Sequence, residues 1–151
     1  MKILVDADAC PVKPIIIRLA KQWSIPVTML IDTSHELNDG YSTVITVDKH
    51  ADSVDYALMG LLTRENIVVT QDYGLAAMVI GKGAKAINQN GLVFTETNMD
   101  KLLMERHIGQ KIRRGGGRVK GPPKRTKDDD TRFEAMFEKM LQGTKNDCGR
   151  V

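Results

Sequence analysis

Aromatic side chains are scarce in this chain. Three Tyr, three Phe and one Trp make up 5% of 151 residues, so aliphatic side chains must carry the core. Cysteine is scarcer still. Cys10 and Cys148 stand far apart, which excludes a disulfide framework and a Cys-type zinc site and suits a reducing compartment. The three histidines, His35, His50 and His107, have no metal-binding spacing and read as surface residues. No apolar run approaches the roughly 20 residues that span a bilayer. The N-terminal stretch has one lysine and then acids by position 6, unlike a secretory signal, so a cytoplasmic setting is expected. The sequence has no G-x-x-x-x-G-K-[ST] and no G-x-S-x-G. The loose G-x-G-x-x-A from Gly81 to Ala86 follows a helical pattern and precedes a strand pattern, the wrong order for a dinucleotide fingerprint.

What is present is ordinary in amount and uneven in place. Hydrophobic content of 42% and charged content of 27% fit one soluble domain with a real core. Nine of the 22 Lys and Arg lie between Arg106 and Lys127, a segment with no acid. The remainder holds thirteen basic against nineteen acidic residues, a net of −6. An acidic body with a basic arm points to a polyanionic partner, with nucleic acid, RNA above all, the favoured one. The run Arg113-Arg114-Gly115-Gly116-Gly117-Arg118 has the look of arginine–glycine segments that grip RNA by its backbone. No aromatics interleave it, so base stacking and strong sequence preference are not indicated.

Strand and helix patterns alternate. Lys2–Asp6, Pro26–Ile31, Thr43–Val47, Ile67–Thr70 and Lys85–Asn88 read as strands, with Leu92–Thr95 a further short strand or a loop. Helices are predicted from about Pro11 through Trp23, over Asp52–Leu62, Tyr73–Ile80, Met99–Arg114 and Thr131–Leu141. This alternation predicts an α/β fold with a mainly parallel central sheet. Residues 1–112 read as the α/β domain, 113–127 as a basic Gly/Pro-rich loop broken at Gly121-Pro122-Pro123, and 128–151 as a C-terminal helix and tail of the same domain.

In such sheets ligands bind beyond the carboxyl ends of the strands, and there the acids gather. Val5-Asp6-Ala7-Asp8-Ala9-Cys10-Pro11-Val12-Lys13 ends the first strand with two aspartates, and Ile67-Val68-Val69-Thr70 runs into Asp72. Asp52 and Asp55, spaced i,i+3, share a helix face. Carboxylates that meet raise one another's pKa unless a cation compensates. Hard ions such as Mg²⁺ or Mn²⁺ take oxygen ligands and keep several waters, and they support phosphodiester hydrolysis. Each aspartate alone also suits a helix cap: Asp8, Asp52 and Asp72 all precede helices. Lys13 and Thr70 have two readings open, contact with a phosphate or service to the fold only. Cys10 before a helix start allows an activated thiol; a small buried cysteine is the plainer reading. The D-x-D after a first strand also matches haloacid-dehalogenase-type phosphatases. That motif wants Thr or Val where Cys10 stands, and the late acidic G-D-x-x-x-D is missing after Asp72.

The run DADACPVK, the Asp52/Asp55 pair, VVTQDYGLA from Val68 to Ala76, KGA at Lys82–Ala84 and the late GP with D-x-R-F at Asp130–Phe133 together resemble the YaiI/YqxD family of bacterial proteins. The resemblance covers nearly the whole chain. That family is placed among PIN-like domains, whose better-known relatives are metal-dependent ribonucleases. The resemblance implies a three-layer α/β/α sandwich with a C-terminal helical and basic extension. It also implies acids at the end of strand one, on a middle helix and in a T-x-D context, which Asp6, Asp55 and Thr70/Asp72 match; Asp8 and Asp52 match the family's own pattern. The expectation is a Mg²⁺- or Mn²⁺-dependent nuclease acting on RNA. Asp6, Asp8, Asp55 and Asp72 would be catalytic and would hold metal together with Asp52. Lys13, Thr70, Arg113, Arg114, Arg118 and Lys120 would meet the substrate. The alternative is a non-catalytic RNA- or ribonucleoprotein-binding module on the same scaffold.

Overall fold

The computed structural model describes residues 1–32, 36–50, 52–118 and 124–148. His35, Lys120 and the Gly121-Pro122-Pro123 break lie outside them. Among the described residues five strands and five helices follow in the order β1 (Ile3–Asp6), α1 (Lys13–Trp23), β2 (Val27–Asp32), β3 (Thr43–Val47), α2 (Ser53–Leu61), β4 (Ile67–Val69), α3 (Tyr73–Gly81), β5 (Lys85–Ile87), α4 (Glu96–Arg114) and α5 (Lys127–Cys148). The sheet order is β3-β2-β1-β4-β5, with every neighbouring pair parallel.

Side chains on a strand alternate between faces, and the core divides accordingly. Ile3 and Val5 of β1 join Val27 and Met29 of β2 in a cluster with Ile16 and Leu19 of α1 and Phe133 and Phe137 of α5. Leu4, between them in sequence, joins Leu30 and Val68 in a second cluster with Leu58 of α2, Leu75 and Val79 of α3 and Met99 of α4. The result is the expected three-layer sandwich. β1, β2 and β4 are buried along nearly their whole length because both faces are covered, with Thr28 the one polar residue inside an otherwise apolar run and Asp6 and Asp32 at the strand ends.

The helix ends differ from the hydrophobic pattern for local reasons. Pro14 occupies the first turn of α1, where its missing N–H costs nothing. Helix α4 starts at Glu96, three residues before the apolar pattern begins. Thr95 and Asn98 form a capping box there: Thr95 Oγ1 accepts from Asn98 N–H at 3.2 Å and Asn98 Oδ1 from Thr95 N–H at 2.8 Å. The Leu92–Thr95 stretch is not a strand; Val93 makes one isolated antiparallel bridge to Ile87. Helix α4 ends at Arg114, where the predicted helix ends, and Arg113 and Arg114 lie in its last turn, where their charge complements the helix dipole.

The late motif residues fasten α5 to the sheet. Arg125 donates to Asp130 Oδ1 at 2.6 Å, to Asn90 Oδ1 at 2.7 Å and to the Gln89 carbonyl at 2.8 Å. Gly91, with φ +85°, lies so close to α5 that a Cβ there would stand 2.7 Å from the Arg132 carbonyl oxygen. Phe133 and Phe137 are fully buried and stack with ring centroids 5.1 Å apart.

Candidate active site

The chain lays β1, β2 and β3 outward in one direction and then returns to place β4 on the other side of β1. The switch in strand order therefore falls between β1 and β4, and a crevice at their carboxyl ends is the standard consequence. Strand register decides which side chains meet in it. Val5 pairs with Val69, so Asp6 and Thr70 are the next residues out on adjacent parallel strands. Thr70, buried, donates its hydroxyl to Asp6 Oδ2 at 3.0 Å and accepts the Asp72 N–H on the same oxygen, also at 3.0 Å. Asp6 pairs with Leu30, so Asp8 comes level with Asp32, whose N–H it accepts at 3.2 Å.

The connecting loop is shaped for this placement. Ala9 adopts φ +56°, and its carbonyl accepts from Gln71 Nε2 at 2.8 Å, which ties the β1 loop to the β4 loop. Lys13 donates to the Ala7 carbonyl at 3.1 Å. Asp72 is the N-cap of α3 and accepts from Gly74 N–H at 2.8 Å and Leu75 N–H at 3.2 Å. Asp52 precedes α2 in a left-handed conformation, φ +68°, and its side chain does not cap the helix.

Charge in the crevice is uncomfortable. Burial pushes the Asp6 carboxyl up to about 6; the Thr70 hydroxyl opposes the rise, while Asp55, Asp8 and Asp72 add to it. Asp55 is also raised, first by burial, then by Asp72 and Asp52. All five predicted carboxylates thus belong to one electrostatic neighbourhood. They do not meet at one point. Asp6, Asp8 and Asp72 line one cavity of about 890 Å³. Asp52 and Asp55 line an adjoining one of about 740 Å³, which shares Asp72 and Arg106 with the first. Among the described residues no three of His, Cys, Asp and Glu are arranged to hold a metal ion. Asp72 accepts two N–H groups of its own helix start and Asp8 accepts the Asp32 N–H.

The basic residues also separate. Arg106 and Arg113 of α4 line the acid-bearing cavity. Among the described residues neither forms an ion pair. Arg114 and Arg118 are exposed elsewhere. Arg125, within the basic segment, is taken up by Asp130 and the β5 loop. Arg106 was part of the charge count but not of the predicted site. Its spacing of seven from Arg113, which puts both on one helix face, is the signal that marks it. Cys10 is buried, and burial pushes its thiol up, the reverse of an activated nucleophile.

Fold and crevice define a parallel α/β protein with an acidic cleft at its topological switch point, closed on one side by a basic helix. A family model described as "Uncharacterized BCR, YaiI/YqxD family" matches residues 4–143. The chain is 66% identical to a UPF0178 protein of Ruminiclostridium cellulolyticum, over 89% of this chain and 88% of that one. It is 52% identical to a UPF0178 protein of Clostridium acetobutylicum, over 96% and 99%. It is 48% identical to a third, from Exiguobacterium sibiricum, over 93% and 96%. The chain belongs to the YaiI/YqxD family. No solved structure matches it. Among the described residues no helix is long and apolar enough to cross a membrane.

Proposed function

We propose that the protein is a Mg²⁺- or Mn²⁺-dependent phosphodiesterase acting on RNA. The observation that carries this reading is the 890 Å³ cavity in which Asp6, Asp8 and Asp72 share walls with Arg106 and Arg113. A desolvated Asp6 with other carboxylates beside it favours a hard cation, and guanidiniums without an ion pair among the described residues favour phosphate. The donor set is all oxygen, and it fits an ion held by one or two carboxylates with water completing its shell, the usual habit of Mg²⁺. It does not fit a closed cage of three. Asp6 together with one of Asp8 and Asp72 would hold the ion, directly or through water, with Asp55 and Asp52 at the margin. When bound, such an ion lowers the pKa of a water and neutralises charge on the phosphoryl oxygens.

The chain's own residues supply position. Thr70 fixes one Asp6 oxygen, and the Asp32 N–H fixes Asp8. Arg106 and Arg113 would clamp phosphate groups across the cavity. The setting we propose is the cytoplasm, where the buried Cys10 stays a thiol.

Purified protein with Mn²⁺ and labelled single-stranded RNA is the direct trial. Asp72→Asn should lower cleavage on the order of 10²-fold, as removal of one catalytic group does. Equal trace activity in wild type and variant would sink the catalytic reading. The spread of the acids over two cavities favours, as a second reading, an RNA-binding module without catalysis. Calorimetric titration separates the two: such a module does not take up Mn²⁺ in an Asp6- and Asp72-dependent manner.

A further inference from the structure

The second cavity is chemically unlike the first. Tyr56 and Met59 of α2 line it from one helix, and Met78 of α3 with Lys82 at that helix's end line it from another. Tyr56 is 87% exposed and Met78 45% exposed, although α2 turns Leu58 fully into the core. In a chain with so few aromatics, an outward tyrosine and the half-exposed Met78 are surface that the core does not use, while Met59 packs partly against the core and joins them to it. The cavity meets the acid cleft at Asp72 and Arg106, which line both.

We propose that this cavity is a base-binding subsite for single-stranded nucleic acid, set next to the acid cleft. The ring of Tyr56 offers a stacking face, and thioether side chains adapt to varied flat ligands. Lys82 and Arg106 supply charge for the phosphates that flank the base. Asp52 and Asp55 accept from base N–H groups and repel phosphate, which keeps the backbone on the Lys82 and Arg106 side. A volume of about 740 Å³ is within the range of small-ligand sites. A base reaches Tyr56 only when it is neither paired nor stacked in a helix, so the surface selects single strands over duplex. The nuclease reading is needed only to place the reacting phosphate in the neighbouring cleft; the subsite itself is a statement about binding.

The test uses the full chain in EDTA, so that no cleavage intervenes. Fluorescence anisotropy follows a labelled single-stranded RNA octamer, the same octamer made abasic, and a duplex of the same sequence. Tyr56→Ala should weaken the intact octamer by about tenfold, within the range for loss of one stacked base. It should leave the abasic octamer and the duplex unchanged, and Tyr56→Phe should bind as wild type. Lys82→Ala should weaken the intact and abasic strands alike. The subsite is overturned if the wild type does not bind the intact strand. It is equally overturned if Tyr56→Ala binds that strand unchanged or loses affinity for intact and abasic strands in equal measure. Cleavage with Mn²⁺ is read separately in wild type and Asp72→Asn. Asp72-dependent cleavage with Tyr56-independent binding removes the subsite and keeps the nuclease. Tyr56-dependent binding with no cleavage removes the nuclease and keeps the subsite.

Discussion

Thr70 joins Asp6 to Asp72 through a single oxygen: its hydroxyl donates to the Asp6 carboxylate and accepts the Asp72 backbone N–H, both at 3.0 Å. The hydroxyl favours the charged form of Asp6 against the effect of burial. Thr70→Val should therefore lift the Asp6 carboxyl above about 6 and cost roughly 1–3 kcal/mol by leaving partners unsatisfied. Thr70→Ser should restore both. Carboxyl carbon NMR across a pH series reads the first effect, and urea unfolding reads the second. An unmoved Asp6 titration in the valine variant contradicts the assignment.

A second prediction concerns pH and stability without divalent ions. The folded Asp6 carboxyl titrates near 6 against an ordinary 3.8. Below about 4 it is neutral in both states. Between about 4 and 6 the unfolded chain ionises while the folded one resists, so stability falls as pH rises through that window. The loss is about 3 kcal/mol at the usual 1.36 kcal/mol per unit. Asp55 works in the same direction. Asp39 and Asp129, whose carboxyls are held low, act oppositely: their stabilisation is present above the ordinary carboxyl pKa and is lost as pH falls below it. Urea midpoints should therefore peak near pH 4. Asp6→Asn should flatten the decline above it, and Mn²⁺ should reduce it. A flat profile from pH 4 to 7 would refute this.

The basic residues should divide by role. Arg113→Ala and Arg106→Ala should each weaken RNA binding and lower the salt slope by about one. Arg125→Ala should leave that slope alone and reduce stability, on the order of 2–3 kcal/mol, because its partners Asp130 and the Gln89 carbonyl are left without it. Salt-dependent binding isotherms and melting curves on the three variants check both halves. A reduced salt slope in Arg125→Ala would overturn the division.

Gly91 is the sharpest structural test. An alanine there would combine φ +85° with a contact of 2.7 Å to the Arg132 carbonyl oxygen. Gly91→Ala should cost roughly 2–4 kcal/mol and Phe133→Ala about 3–5 kcal/mol. Both should loosen α5, read as faster hydrogen exchange in that helix. A Gly91→Ala protein that melts like wild type would show that α5 can shift at no cost.

The α/β class and the parallel sheet were legible because apolar strands alternate with amphipathic helices; the three layers were what the family resemblance implied. The rule that ligands bind at strand ends singled out Asp6, Asp8 and Asp72 as candidates. Less legible was how the acids divide. Residue spacing puts Asp52 and Asp55 on one face of α2, but only packing decides that this face borders a separate cavity. The early start of α4 was written in Thr95 and Asn98, polar residues that an apolar pattern passes over. Arg125 read as one more positive charge, since its partners at Gln89 and Asn90 are distant in sequence and local pattern is blind to them. Tyr56 carried no motif at all; only its exposure sets it apart.

Asp72 holds the start of α3 with one carboxylate oxygen, and asparagine serves that purpose about as well as aspartate. A change from Asp to Asn at this position would take a negative charge from both cavities and leave the helix start as it was. Selection for folding would not oppose such a change. Within the family, the residue at this one place can therefore record whether a lineage still needs the charge, independently of whether it still needs the fold.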